Sequence, residues 1–361
     1  MRNLYSCPTN KPQPQIQTTM QPKIAVVILN YNTRNFLEQF LPSVCGSTYP
    51  NLEIVIADNA STDDSVAYVK AHYPQCVCIS LDKNYGFTGG YNKALKQVCA
   101  DYYVLLNSDV EVTPNWLEPM VQLMQSNPLI AAVQPKLLAH HTPTQFEYAG
   151  AAGGYIDQLG FPFCRGRIFE AIETDNAQYQ DAKQVFWASG AALLIKADLY
   201  HQLQGLDDDF FAHMEEIDLC WRLQNAGHQV WVCPQSTVYH VGGGTLQKSN
   251  PRKTYYNFRN GLILLYKNLP KNKLFTVIAQ RWILDIIAAV WFLVQGKFGD
   301  YKAIAKAHIH FIIYFPKWAK KRQSNTTHAA YYSPQVYKGS IVWQHFKNKV
   351  QTYTQLINKS R

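Results

Sequence analysis

Apolar runs and helical spacings alternate through the first third of the chain. IAVVILN, after Lys23, is a continuous apolar run bounded by turn residues, the pattern of a strand buried on both faces. A helical pattern follows from Thr33 to Val44, then a strand LEIVIAD (52–58), a helix from Ser65 to His72 and a strand VCIS (77–80). A helix from Gly90 to Cys99, a strand YYVLLN (102–107) and a helix from Pro114 to Gln125 continue the series. Such alternation predicts βαβ units and an α/β fold with a mostly parallel, Rossmann-like sheet flanked by helices. Ligands of such sheets bind beyond the carboxyl ends of the strands, so the residues just after each strand matter most.

From residue 150 the pattern changes. A glycine-rich stretch (150–167) predicts loops, and VFWASGAALLIKAD predicts a strand pair or a strand with a turn. The second half of GLDDDFFAHMEEIDLCWRLQNAG reads as a helix ended by Gly227. HQVWVCP reads as a short strand and VYHVGGG as a loop. Further on, Leu274 to Val294 is an apolar run whose polar interruptions are Thr276, Gln280, Arg281 and Asp285. Arg281 and Asp285, four apart, can pair on one helical face. The run is marginal in length for a bilayer span, and two charges argue against a simple one. Lys271 and Lys273 precede it, Lys297, Lys302 and Lys306 follow it, and the patch HFIIYFPKW leads into Lys320, Lys321 and Arg322. These features favour helices lying in or against a membrane surface over a buried hairpin or a true span.

Charge sharpens the division. The 361 residues hold 34 Lys+Arg and 25 Asp+Glu, but the balance is −9 up to Gly244 (14 basic, 23 acidic) and +18 from Thr245 onward (20 basic, 2 acidic). A hydrophobic share of 47% excludes global disorder. The basic third suits an anionic membrane or a nucleic acid. Its Tyr and Trp residues fall in apolar runs, as interfacial anchors do, so the membrane is preferred and nucleic acid set aside. The eight cysteines form no C-x-x-C pair and no zinc spacing, and read as reduced, mostly buried thiols of a cytosolic chain. Residues 1–21 are polar and Pro/Gln-rich, lack the apolar core of a secretory signal and read as a disordered tail. Within it, Leu4 to Cys7 resembles a lipoprotein cleavage box only superficially.

Five segments carry candidate chemistry, most of them in the turns that follow strands. Asp58, in DNASTDDS, can accept the imide N–H of a pyrimidine base or form an ordinary Asx turn. NYGFTGGYN (84–92) brings three glycines to a helix start, where backbone can approach a diphosphate, although no G-x-G-x-x-G fingerprint follows the first strand. Asp109, in LLNSDVEV, can be a carboxylate ligand to a divalent cation on a diphosphate or a turn residue before Pro114, with Glu111 as a second-choice ligand. Glu215, Glu216 and Asp218 can complement a helix dipole, or their crowding can raise a pKa to suit a general base. His240 offers a neutral imidazole, either a metal ligand or structural.

Taken in order, VVILNYN (26–32), DNASTDDS (58–65), NYGFTGGYN (84–92), LLNSDVEV (105–112), GLDDDFFAHMEEIDLCWR (205–222) and YHVGGG (239–244) resemble family 2 glycosyltransferases of the GT-A fold, in particular the rhamnosyl- and galactofuranosyltransferase-like subgroup. RNG (259–261) fits the segment that follows their catalytic residues. The resemblance implies inverting transfer from a nucleotide-diphosphate sugar, dTDP- or UDP-linked and rhamnose-like, to an acceptor hydroxyl. Asp58 would hold the base, and Asp109 would coordinate Mg2+ or Mn2+ with His240 as a further ligand. Glu216 would deprotonate the acceptor, with Glu215 the competing choice. Asn30, Asn32, Asn84, Gly86, Gly90, Asn107, Asp218, Trp221 and Arg222 complete the implied substrate-binding set. Two departures stand out: Asn107 occupies the first acidic position of the D-x-D motif, and the usual Glu-Asp pair is Glu215-Glu216. The implied domains are a catalytic one over 22–245 and a basic, helical, membrane-associating region over 246–361. A polyprenyl-linked glycan at the cytoplasmic membrane face is the acceptor this context suggests. The rival readings are a sugar nucleotidyltransferase, which NYNTRNF after the first strand argues against, and a decayed sugar-nucleotide-binding protein, which Asp58, Asp109, Glu216 and His240 together argue against.

Overall fold

The computed structural model describes residues 21–242, 250–323 and 327–359; the expected tail and the boundary near 245 lie outside them. The first run of elements is β1 (Ile24–Asn30), α1 (Arg34–Cys45), β2 (Leu52–Asp58), α2 (Ser65–His72), β3 (Val77–Ser80), α3 (Gly86–Leu95), β4 (Tyr102–Leu106), β5 (Val110–Val112) and α4 (Leu117–Ser126). β6 (Ile130–Ala139), β7 (Thr142–Phe146), β8 (Gly154–Asp157), β9 (Pro162–Cys164), β10 (Arg167–Ile168), β11 (Ala171–Ile172), β12 (Lys183–Val185), β13 (Ala192–Lys196) and α5 (Ala197–Gln202) follow. The remainder is α6 (Glu215–Asn225), β14 (Gln229–His240), α7 (Pro251–Asn268), α8 (Lys271–Val294), α9 (Phe298–Ile313), α10 (Phe315–Gln323), β15 (Val336–Tyr337), α11 (Ile341–Phe346) and α12 (Tyr353–Asn358).

β4, β1, β2 and β3 pair in parallel, in that spatial order, at one side of a ten-stranded sheet. β1 is central because both its faces are covered: Ala25 and Val27 pack with Tyr91 and Leu95 of α3, Val26 and Ile28 with Leu37 and Leu41 of α1. The other side is mixed, with β13 antiparallel to β4 and β6 and β14 parallel to β6.

Three expectations change. HQVWVCP and VYH form one twelve-residue strand, β14, and not a strand followed by a loop. Pro234, which cannot donate to a ladder, coincides with a register shift between Cys233 and Thr237, and the strand resumes beyond it. α3 begins at Gly86, four residues before the predicted start, so the glycine-rich stretch is helix and not cradle. Its glycines serve packing. Gly86 has φ +72°, and a Cβ there would lie 2.6 Å from the Phe211 ring, while one at Gly90 would lie 2.7 Å from Leu29. Finally, 150–172 forms part of a second, five-stranded sheet, β11-β10-β9-β8-β15, whose strands of two to four residues are too short for alternation to register.

β15 closes that sheet from far down the chain, pairing Val336 with Ile156 and Tyr337 with Asp157. Asp157 ties the join by accepting from the backbone N–H groups of Leu159, Phe161 and Ile341, each at 2.9 Å. Ile341, Val350 and Leu356 share the core of Tyr155 and Phe163. Residues 327–359, expected to extend a membrane-associating region, therefore pack as part of the body of the protein.

The two charge blocks also meet. Lys267 pairs with Asp207 at 2.5 Å and with Asp218 at 2.9 Å, Lys317 with Asp209, and Lys321 with both Asp207 and Asp209. Arg322 donates to the Tyr266 carbonyl at 2.5 Å. Part of the basic third thus neutralises the acidic GLDDDFF segment instead of facing a membrane. Burial would raise the Asp207 pKa, but Lys267 and Lys321 outweigh it and hold this carboxyl well below its usual range.

Candidate active site

The parallel register sets the first wall of the site. Asn30 and Asp58 are directly paired at the carboxyl ends of β1 and β2. The Asn30 amide donates to Asp58 Oδ1 at 2.8 Å and to Ser61 Oγ at 3.0 Å, and the Ser61 N–H donates to Asp58 Oδ2 at 3.1 Å. Asn30 is fully buried, so it orients Asp58 and does not reach a ligand itself. Asn32, at φ +54°, turns the chain and accepts from the Thr62 N–H at 2.7 Å. Asn84 accepts from the Gly86 N–H at 2.8 Å and from the Asn59 amide at 3.0 Å. Asn59 was absent from the sequence-based set. It is buried and also accepts from the Tyr85 N–H, fixing the end of β2 to the start of α3.

The second wall lies beyond β4. His240, the last residue of β14, pairs with Val110 of β5, which brings its ring to Asp109. His240 Nε2 lies 3.1 Å from Asp109 Oδ1 and 3.4 Å from the Asn107 amide nitrogen. His240 Nδ1 lies 3.3 Å from Oε1 of Glu147, a buried residue that sequence reasoning missed because nothing in QFEYAG marks it. Burial would favour a neutral imidazole, as the sequence suggested. Glu147 and Asp109 outweigh it and raise the ring to about 10, so a metal at Nε2 would have to displace that proton, and His240 in turn keeps Asp109 below its ordinary value. Glu111 does not join them, since its carboxylate faces His140 at 3.1 Å.

These contacts fit a divalent ion. Asp109 and His240, 3.1 Å apart, would supply a carboxylate oxygen and an imidazole nitrogen to such an ion. A carboxylate on the far nitrogen is the usual way a metal-bound imidazole is oriented, and Glu147 is so placed. Among the described residues no group of three or more His, Cys, Asp or Glu could hold a metal, so substrate oxygens and water would have to complete the shell.

The third wall is the start of α6. Glu215 is buried, Glu216 only partly, and the Oε2 atom of each is enclosed without a hydrogen-bond partner. Burial pushes Glu216 up to about 7; burial and the Glu216 charge push Glu215 well above the carboxylate range. Asp218 behaves oppositely. It is fully buried, and Lys267 and Arg222 overcome burial to lower its pKa. Arg222 donates to Asp218 at 2.8 Å and to the carbonyls of Leu203 and Gly205, and Trp221 is buried against Phe186. Asp218, Trp221 and Arg222, expected at the substrate, therefore fasten α6 to the body because their helix face points inward.

The chain entering α6 is strained, with Phe211, His213 and Met214 all at positive φ. Asn260, fully buried on α7, holds it by donating to the carbonyls of Phe210 (3.0 Å), Ala212 (2.9 Å) and His213 (2.7 Å). Arg259 adds bonds to the carbonyls of Asp209 and Phe210. Asn260→Ala would leave buried carbonyls unpaired, and we expect a stability loss of about 2–3 kcal/mol, measured by denaturant unfolding.

Residues 25–157 match the family described as Glycosyl transferase family 2. The chain carries a family 2 glycosyltransferase domain. It is 25% identical over 235 residues to N-acetylglucosaminyl-diphospho-decaprenol L-rhamnosyltransferase of Mycobacterium tuberculosis, covering 60% of this chain and 75% of that one. It is 21% identical over 298 residues to the low-salt glycan biosynthesis hexosyltransferase Agl10 of Haloferax volcanii, covering 79% and 88%. It is 25% identical over 242 residues to the O-antigen biosynthesis protein RfbC of Myxococcus xanthus, covering 65% of this chain but 18% of that protein. Among solved structures, GalNAc-T7 with UDP, GalNAc and Mn2+ superposes with a TM-score of 0.56 at 16% identity, over 71% of this chain and 49% of that one. The mannosyltransferase PcManGT of Pyrobaculum calidifontis, in complex with GDP-Man and Mn2+, gives 0.50 at 13% identity, over 92% and 89%. The fold of this glycosyltransferase is GT-A.

Proposed function

We propose that this glycosyltransferase moves a sugar, with inversion, from a nucleotide-diphosphate donor to an acceptor hydroxyl, Glu216 acting as the base. The observation that carries the reading is the paired carboxylates at the start of α6, both pushed up and both holding an oxygen without a partner. A carboxylate that titrates near 7 is suited to taking a proton at neutral pH. The acceptor oxygen attacks the anomeric carbon as its bond to the diphosphate breaks, and the acceptor proton passes to Glu216. Asp58 takes the base of the nucleotide, held in position by Asn30 and Ser61. Asp109 and His240 would hold Mg2+ or Mn2+, which when bound would offset charge on the departing diphosphate.

The names of two relatives support a reading of donor and acceptor. The name of the Mycobacterium tuberculosis relative supports a rhamnose-like donor and a lipid-diphosphate-linked acceptor. The O-antigen relative supports surface polysaccharide synthesis. Such an acceptor supports reading the enzyme as working at the cytoplasmic face of a membrane. Nucleotide release from UDP-, dTDP- and GDP-sugars, measured with Mn2+ and again with EDTA, tests the reading. One donor class is expected to turn over with the metal, and no turnover of any would overturn it.

A further inference from the structure

The helices α8 and α9 leave an apolar surface that nothing among the described residues covers. α8 is long and apolar enough to cross a membrane, yet it has two distinct faces. On the inner face Arg281 and Asp285, 3% and 0% exposed, pair at 2.8 Å, and His308 of α9 meets the second Asp285 oxygen at 3.1 Å. The Arg281 guanidinium also lies over the Phe161 ring at 3.9 Å, beside the Leu159 and Gly160 carbonyls at 3.4 Å. On the outer face Ile286, Val290 and Val294 recur every fourth residue, flanked by Trp291, and all stand exposed. Ile309 and Ile313 extend the surface along α9.

Charge identifies the occupant. Residues 271–322 contain ten Lys or Arg and two acidic residues, Asp285 and Asp300. Asp285 is buried in its ion pair, and Asp300 accepts from the Thr254 hydroxyl at 2.5 Å. Lys271 and Lys273 stand exposed at one end of α8, and Lys297 and Lys302 just past the other. A spanning helix would separate these two groups by a bilayer and bury in hydrocarbon the loop that Arg281 grips. A helix lying in the plane of a leaflet keeps both groups at headgroup level.

We infer that α8 and α9 form a monotopic insertion surface, lying in the plane of one anionic leaflet with Ile286, Val290 and Val294 in its acyl region. This deepens the membrane location proposed above, but its test reads binding and not sugar transfer, so failure of the transferase reading would leave the result unchanged. The full chain is mixed with phosphatidylcholine vesicles, with and without phosphatidylglycerol, and floated on a density gradient. Binding to the anionic vesicles is expected, and Ile286→Glu with Val290→Glu is expected to lower it at least about tenfold. Lys297→Glu with Lys302→Glu is expected to remove the preference for phosphatidylglycerol.

Quenching of the wild-type tryptophans by brominated lipids keeps the test open should the variants fail to fold. Quenching is expected to be strongest with bromine near the glycerol end, and to weaken in Trp291→Phe. Three outcomes would overturn the inference. One is failure to float. Another is strongest quenching from bromine at the bilayer centre, which marks a span. The last is a dimer by light scattering that the double glutamate variant dissociates, which makes a second copy the occupant.

Discussion

Glu216→Gln is expected to lower sugar transfer by about a thousandfold, within the range a positioned general base supplies. Donor binding, measured by nucleotide-sugar titration, is expected to be unchanged, because the amide keeps the shape of the acid. In the wild type the rate at limiting acceptor should rise about tenfold per pH unit below 7 and level off above it, since Glu216 accepts a proton only when ionised. Glu215→Gln separates the two acids. The Glu216 charge is among the causes that raise Glu215, whereas burial alone raises Glu216, so the Glu215 amide variant is expected to keep the limb near 7. A limb lost in Glu215→Gln and kept in Glu216→Gln would reverse the assignment.

The same shift has a sign for stability. The folded Glu216 pKa, about 7, stands above its unfolded value of 4.5, so the neutral acid suits the fold and the charged one does not. Its favourable contribution is complete below about pH 4.5 and is lost as pH rises through 7. Glu216→Gln should therefore unfold at a higher temperature than the wild type at pH 8. The difference should reach at most about 3 kcal/mol, less where water reaches the side chain, and vanish in acid. A variant that loses activity while gaining stability is what a strained catalytic position predicts.

Asp109→Asn is the second change with a large expected effect. Removing the carboxylate takes away one of the two proposed protein ligands and leaves His240 with Glu147 behind it. We expect transfer to fall on the order of a hundredfold or more, and Mn2+ to bind more weakly in a direct titration followed by electron paramagnetic resonance. EDTA should arrest the wild type and added Mn2+ restore it. Full activity of the wild type in EDTA would remove the metal from the mechanism, together with the roles of Asp109 and His240.

The segments that form the candidate site are visible in residue order. Asp58, Asn107 and Asp109 follow strands whose apolar runs are unmistakable, and the acidic cluster at 215–218 precedes a helix with a clear glycine stop. What could not be read was which members of each motif face the site. Asp218 and Arg222, about one and two turns along from Glu215, look like site residues in the sequence, yet they are taken up by Lys267 and by the Leu203 and Gly205 carbonyls. Gly86 and Gly90 look like a phosphate cradle, but Phe211 and Leu29 occupy the space. Glu147 bears no local mark and Asn260 is marked only as part of RNG, since each acquires its role from partners about 50 or more residues away.

The split in charge shows the division most plainly. The sequence by itself determined the order of strands and helices, because burial on both faces demands continuous apolar runs and a helix demands its own period. It also determined that a long apolar helix would sit among lysines. The tertiary structure decided what those charges do: Lys267, Lys317 and Lys321 close on Asp207 and Asp209, while Lys297 and Lys302 remain exposed beside an uncovered apolar face. A carboxylate's pKa, its partner and its access to substrate depend on which distant segments fold against it, and those are distances that residue spacing does not contain.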